Sequence, residues 1–436
     1  MPEFSLSSQA DAPDASARRH LRHAVAAATI GTALEWFDLV VYGFFALTIA
    51  KLFFPAGNPL TSVLLTLGTF GASYLMRPLG ALLLGAYADR HGRKRGLTLS
   101  IALMALGTLI IAVAPTYQAV GIAAPALMVA ARLIQGISAG GEFGSSTSFL
   151  VEHSPPAQRG FYASFQMAAQ GATAVLASLF GVMLTRSLST AQLLAWGWRI
   201  PFLFGLTIIP VAYFIRRRVS ETPVFLNTSK AHSPVRETFA DHKLRLMLAI
   251  GVYILVTSSS YVIILFMPTF AVRQLGIPSS IAFTGTLLMG AIQIFACPIA
   301  GALGDRAGRL RVLLGAAVIF GVSVVPLFSL LAASPTTPVF LALCIVLGLL
   351  VSAYQGPIPA VLSELFPARV RTVGLALTHN LTVAIFGGFA PMILTWAISR
   401  THSNLAPAAY IAAAALLSVI CLGISLRRYG AHLQQD

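Results

Sequence analysis

Gly85-Ala86-Tyr87-Ala88-Asp89-Arg90-His91-Gly92-Arg93-Lys94-Arg95 is a short charged stretch between two long apolar runs. It occurs twice. Gly301-Ala302-Leu303-Gly304-Asp305-Arg306-Ala307-Gly308-Arg309-Leu310-Arg311 repeats its spacing, with Asp305 lying 216 residues after Asp89. Both copies read G-x3-D-R-x-G-R. One copy is a modest loop signal, whereas two in register describe a doubled unit. A second echo agrees. Glu152 precedes Arg159 by seven residues, and Glu364 precedes Arg371 by the same interval, 212 residues later.

The doubled unit is a membrane unit. Of 436 residues, 57% are hydrophobic and only 10% are charged, with mean hydropathy +0.81. A soluble domain carries about 25% charged residues. This much apolar surface fits only a polytopic membrane protein, and twelve apolar runs are each long enough to span about 30 Å. The first is 24–50 and the last 407–427. The fold class expected is therefore all-α: twelve transmembrane helices in two six-helix, pseudo-symmetric halves around a central cavity. The expected divisions are a cytoplasmic N-terminus at 1–23, bundles at 24–216 and 245–428, a linker at 217–244 and a tail at 429–436. Residues 1–23 are polar, as expected of a disordered segment. Arg18, Arg19 and Arg22 before the first run imitate a signal peptide. That run is too long and carries Glu35 and Asp38, so it reads as a retained span.

The net charge of +15 would suit nucleic acid if it were clustered. It is an orientation signal instead. Of the 29 Lys and Arg, Lys51, Arg186, Arg199, Arg273 and Arg400 fall on one side and Arg77 and Arg132 fall within spans. The other 22 fall on the opposite side. By the positive-inside rule, that side and both termini are cytoplasmic. Cys297, Cys344 and Cys421 lie in apolar runs without motif spacing, which suggests packing. No metal, hydrolase or kinase pattern is present, and no G-x4-G-K-[ST] loop for ATP. No catalytic residue, cofactor or nucleic-acid partner is expected. The expected partners are a small-molecule solute and the bilayer, with the chain acting as a monomer.

Charges inside a membrane mark function by default. Glu35 and Asp38 are three residues apart in the first span, with Tyr42 one turn further on the same face. Arg77 lies twelve residues before Asp89, and its repeat counterpart is Gln293. Arg132 is a buried permanent cation in the fourth span, and its counterpart is Cys344. The fourth span also holds Gln135 and Glu142, and the fifth holds Gln166. Intramembrane charge is thus confined to the first half. The second half contributes the neutral groups Gln293, Tyr354, His379 and Asn380.

The expected substrate residues are Tyr42, Arg77, Arg132, Gln135, Gln166, Gln293, Tyr354, His379 and Asn380. The expected proton carriers are Glu35, Asp38 and Glu142, with Asp38 ion-paired to Arg132 until protonation releases it. The repeated residues read as gate latches: Asp89, Arg90, Arg93, Glu152 and Arg159, then Asp305, Arg306, Arg309, Glu364 and Arg371. The alternative readings are capped or snorkelling carboxylates at Glu35 and Asp38, a structural Arg77, a static ion pair at Arg132, a satisfied structural His379 and a solvated hinge from Asp89 to Arg95.

These motifs resemble the major facilitator superfamily over about residues 24–428. Within it, Glu35-Trp36-Phe37-Asp38, the stretch from Gln135 to Glu142, Trp198-Arg199-Ile200-Pro201-Phe202 and Glu221-Thr222-Pro223 look like the metabolite:proton symporter family. The stretches 70–81, 118–126 and 370–374 are most similar to its citrate–proton symporters, which also serve tricarballylate. Trp36, Phe143 and Gln355 depart from that pattern near the presumed cavity. The resemblance implies proton-coupled uptake of a di- or tricarboxylate by alternating access, in the inner membrane. The alternatives are a monocarboxylate or zwitterion such as 2-oxoglutarate, shikimate, proline or betaine, and a non-transporting sensor.

Overall fold

The computed structural model describes residues 25, 29, 32–33, 36–91, 93–140, 142–217 and 234–430. Glu35 lies outside the described residues. At Asp89, Arg90, Arg93 and Glu142 the backbone alone is described.

Among the described residues the chain is helical, without strands. A bilayer offers no water to satisfy backbone N–H and C=O groups, and a helix satisfies its own. Helix α1 is a bent pair, Trp36–Phe44 and Ala46–Phe53, turned by 70°. It is followed by α2 (Pro59–His91), α3 (Arg93–Val113), α4 (Ala123–His153), α5 (Pro156–Ser187) and α6 (Ile200–Arg217). The second series is α7 (Lys243–Leu265), α8 (Ser279–Ala307), α9 (Arg309–Ala333), α10 (Thr337–Leu365), α11 (Arg371–Thr401) and α12 (Ala406–Tyr429). Nine helices, or ten with bent α1, are long and apolar enough to cross a membrane among the described residues. Helices α3 and α6 occupy the remaining two expected places, and the apolar part of α3, Thr98–Val113, is shorter. Within the expected linker, a helix forms at Pro234–Asp241.

Both repeated stretches close a helix, since α2 ends at His91 and α8 at Ala307. Gly308 leaves α8 at φ +93°, in the region that glycine enters without a Cβ clash. Its N–H returns to the Gly304 carbonyl.

Close packing fixes which helices carry the site. A Cβ on Gly136 would lie 1.9 Å from the Ser73 carbonyl oxygen, and one on Gly140 would lie 2.4 Å from that of Arg77. Helices α4 and α2 therefore meet backbone to backbone, as small residues allow in membranes. The first series meets the second along α5 and α8, α2 and α11, and the end of α4 with α11. Helix α7 is central, with 89% of its most apolar window buried, against 28% for α9. Phe295, Ile299, Val322 and Leu416 face outward, where lipid would meet them. Two π-helical turns, Ser260–Leu265 in α7 and Val383–Gly387 in α11, lie side by side, with Thr257 and Tyr261 against Gly387. Such turns free backbone groups and often occur at functional sites.

The Trp-Gly-Trp stretch before α6 reads as an interfacial belt, but only Trp196 is exposed. Trp198 is fully buried, edge-on to Phe53 at 5.3 Å and near Phe202. Cys297 and Cys344 are buried free thiols, and Cys421 is half-buried and free.

Candidate functional site

The close approach of α4 to α2 sets Arg132 deep in the protein. Its guanidinium is wholly buried and donates to Gln135 Oε1 at 2.8 Å and to Ser73 Oγ at 3.2 Å. Its carbon lies 4.5 Å from the centre of the Tyr42 ring and 5.0 Å from that of Phe70. Cation–π contacts strengthen where water is excluded. The Nε of Arg132 has no partner.

The expected direct ion pair between Asp38 and Arg132 is absent. Asp38 accepts from the Thr108 hydroxyl, which in turn accepts from Gln135 Nε2 at 3.0 Å. Gln135 then accepts from Arg132. The carboxylate therefore reaches the guanidinium through Thr108 and Gln135. Helix α6 presses on its other side, and a Cβ on Gly205 would come within 2.1 Å of Asp38 Oδ1. That oxygen is buried and unpartnered. The geometry turns Asp38 toward α3 and α6 and leaves Arg132 on the side of α2.

Arg77 occupies the next turn of α2 from Ser73, so the two share a face. Its Nη1 lies 3.2 Å from His379 Nε2 on α11, joining the first helix series to the second. A guanidinium only donates, so His379 Nε2 accepts and its proton sits on Nδ1. That nitrogen lies 3.0 Å from the Tyr253 hydroxyl. The imidazole stacks on Phe143 at 4.2 Å and meets Trp36 edge-on at 5.9 Å. Arg77 also lies over Tyr74 at 4.4 Å and Trp36 at 5.4 Å. Asn380, one residue on, donates to the Gly140 carbonyl at 2.5 Å, again across the two series.

The remaining expected substrate residues divide. Gln293 donates to Gln355 Oε1 at 2.6 Å, Gln355 donates to Ser260 Oγ at 2.8 Å, and Gln293 Oε1 is unpartnered. This amide chain ends at the π-helical turn of α7. Gln166 is satisfied within the first series by Thr147 at 2.5 Å and the Phe143 carbonyl at 3.3 Å. Tyr354 is not brought to the arginines. It faces α7 and α12, and its hydroxyl donates to the Val252 carbonyl at 2.7 Å. Glu35 lies outside the described residues, as does the Glu142 side chain.

The expected latch residues meet at one end, in pairs the sequence does not give. Asp305 accepts the backbone N–H groups of Gly160 and Phe161 at 2.8 and 2.9 Å, and pairs with Arg309. Arg309 also pairs with Glu364 and donates to the Pro156 carbonyl. Arg371 lies 3.8 Å from Glu152 of the other series. The bonds thus tie the Asp305 stretch to the start of α5 and to Glu364, and Arg371 to Glu152. Arg306 is exposed. The side chains of Asp89, Arg90 and Arg93 lie outside the described residues.

Ser73, Thr108, Tyr253 and Gly205 are site residues the sequence analysis passes over. Ser73 has a usable signal, four residues before Arg77 on a helix. The others have none, because each meets its partner across helices far apart in sequence.

The pattern of the Major Facilitator Superfamily matches residues 28–391. A citrate-proton symporter of Klebsiella pneumoniae is 36% identical over 414 residues, covering 94% of this chain and 93% of the relative. An alpha-ketoglutarate permease of Escherichia coli strain K12 is 34% identical over 398 residues, covering 90% and 91%. The fold is similar to that of a proton:xylose symporter solved with 6-bromo-6-deoxy-D-glucose. The TM-score is 0.74 over 94% of this chain and 96% of that one, at 18% identity. The chain belongs to the Major Facilitator Superfamily and is a multi-pass membrane transporter, not an enzyme.

Proposed function

We propose that this chain is a proton-coupled symporter of a di- or tricarboxylate, citrate or a close analogue, working by alternating access. One observation carries the reading. Two buried guanidinium groups, Arg77 and Arg132, meet one face of α2, and among the described residues neither has a carboxylate in contact. Permanent cations so held call for an anion, and Arg suits carboxylates because its fork binds them bidentately. The citrate-proton symporter and alpha-ketoglutarate permease among the relatives support the same class.

In this reading Asp38 carries the coupled proton. Protonation reorders the Thr108–Gln135–Arg132 chain and frees Arg132 for substrate; Glu35 and Glu142 are further candidates. Gln293, Asn380 and Tyr42 complete the polar wall. Residues 24–216 and 245–428 rock as two six-helix units, joined by the linker at 217–244. The lysine and arginine bias puts both termini, and the end that holds Asp305, in the cytoplasm. The bonds of Asp305, Arg309, Glu364 and Arg371 then form a cytoplasmic gate. The described site residues all come from one chain, which suits action as a monomer.

The test is a competition panel in proteoliposomes counterflowing labelled citrate. Citrate and tricarballylate should compete strongly, 2-oxoglutarate less, and proline and betaine not at all. Strong competition by proline or betaine alone would overturn the carboxylate reading.

A further inference from the structure

The contact between Arg77 and His379 has a property that the proposed transport cycle does not use. It is a cation held to a base, with no anion between them. His379 is 2% exposed and Arg77 3%. Because Arg77 can only donate, His379 Nε2 must offer its lone pair for as long as the 3.2 Å contact stands. The imidazole is therefore neutral in this arrangement, with its one proton directed at Tyr253. Among the described residues, the charged or titratable groups that meet it are Arg77 from α2 and Tyr253 from α7, with Tyr74 lying against Arg77. Helix α4 contributes the Phe143 ring and α1 the Trp36 ring. Glu35 and Glu142 adjoin these rings in sequence and are not described at the side chain.

The guanidinium has one better partner than an imidazole nitrogen, which is a carboxylate. A substrate carboxylate that takes Arg77 would displace His379. Nε2 would then be an open base beside a new negative charge, a setting that favours imidazolium. We propose that His379 is a substrate-triggered proton acceptor: a carboxylate displaces it from Arg77, and the freed Nε2 binds one proton from solvent. The step balances, because one negative charge and one proton enter together and no covalent bond changes besides the new N–H. It also explains the position. The Arg77–His379 bond joins the two helix series, so the substrate that breaks it also releases a tie between them. This inference rests on the carboxylate reading above. It adds a proton site, on α11, to the carboxylic acids of the first half.

The test counts protons. Citrate is titrated into the full-length, detergent-solubilised protein in buffers of different ionisation enthalpy, which gives protons taken up per citrate bound. His379→Gln keeps an acceptor for Arg77 and cannot become a cation. It should bind citrate more weakly and take up one proton fewer per citrate than wild type. Equal counts would overturn the inference while leaving the carboxylate reading intact. A wild type that binds none of the carboxylates would overturn both. If His379→Gln does not fold, infrared difference spectra of wild type decide the question. Citrate should induce imidazolium ring bands, and spectra without them would reject His379 as the acceptor.

Discussion

Asp38 and Arg132 are linked by three successive hydrogen bonds, through Thr108 and Gln135, and do not touch. A direct ion pair would be broken simply by protonating the acid. A bridged pair transmits the change through a hydroxyl that donates to the acid and accepts from the amide.

Thr108 is therefore expected to matter as much as the charged residues it joins. Thr108→Val keeps the shape and deletes both bonds. A lost bond in this setting is worth about 1–3 kcal/mol, so uptake driven by a pH gradient should fall about tenfold or more. Counterflow of substrate, which needs no net proton movement, should persist. Thr108→Ser should restore the gradient-driven rate. Equal losses in both assays for Thr108→Val, unrelieved by Thr108→Ser, would mean the residue only packs.

The fold was legible because its signals are local or repeated. Apolar length gives the helices, and the doubled Asp89 and Asp305 stretches give the two halves. The site was legible only as an inventory. Arg77 and Arg132 stand out because charge is costly in a membrane, yet their partners are set by helix packing. Nothing near Arg77 in sequence points to His379, 302 residues away. Tyr354 reads like a cavity residue by type and depth, but its face of α10 turns to Val252. The latch residues were recognisable by repetition, while their pairing across the repeats required the fold.

Gly136 should be intolerant of even one carbon. A Cβ there meets a backbone oxygen at 1.9 Å, so α4 must move away from α2. Overpacking of this kind costs about 1–3 kcal/mol. Gly136→Ala should lower the melting temperature in detergent by several degrees and weaken citrate binding about tenfold, because Ser73 and Arg132 would separate. Gly315→Ala, where no atom lies within 4 Å, is the control and should change neither measurement.

Asp305 receives two backbone N–H groups from α5 as well as pairing with Arg309, and in the proposed gate these bonds hold that end shut. Asn can offer only one acceptor oxygen and turns an NH2 toward these donors. Asp305→Asn should therefore favour opening at this end. The buried Ser164, close to Gly301 in the closed arrangement, reports it. Ser164→Cys, in a chain with Cys297, Cys344 and Cys421 replaced by Ala, should be alkylated about tenfold faster when Asp305→Asn is added. An unchanged rate would show that Asp305 is not a latch.

The central claim, proton-driven carboxylate transport at two buried arginines, is tested most directly by pH-gradient-driven uptake of labelled citrate into proteoliposomes. Wild type should accumulate citrate when the outside is acidified and lose that accumulation when a protonophore collapses the gradient. Arg132→Gln, reconstituted to the same level, should show none. Gradient-independent uptake by wild type, or undiminished uptake by Arg132→Gln, would contradict the account.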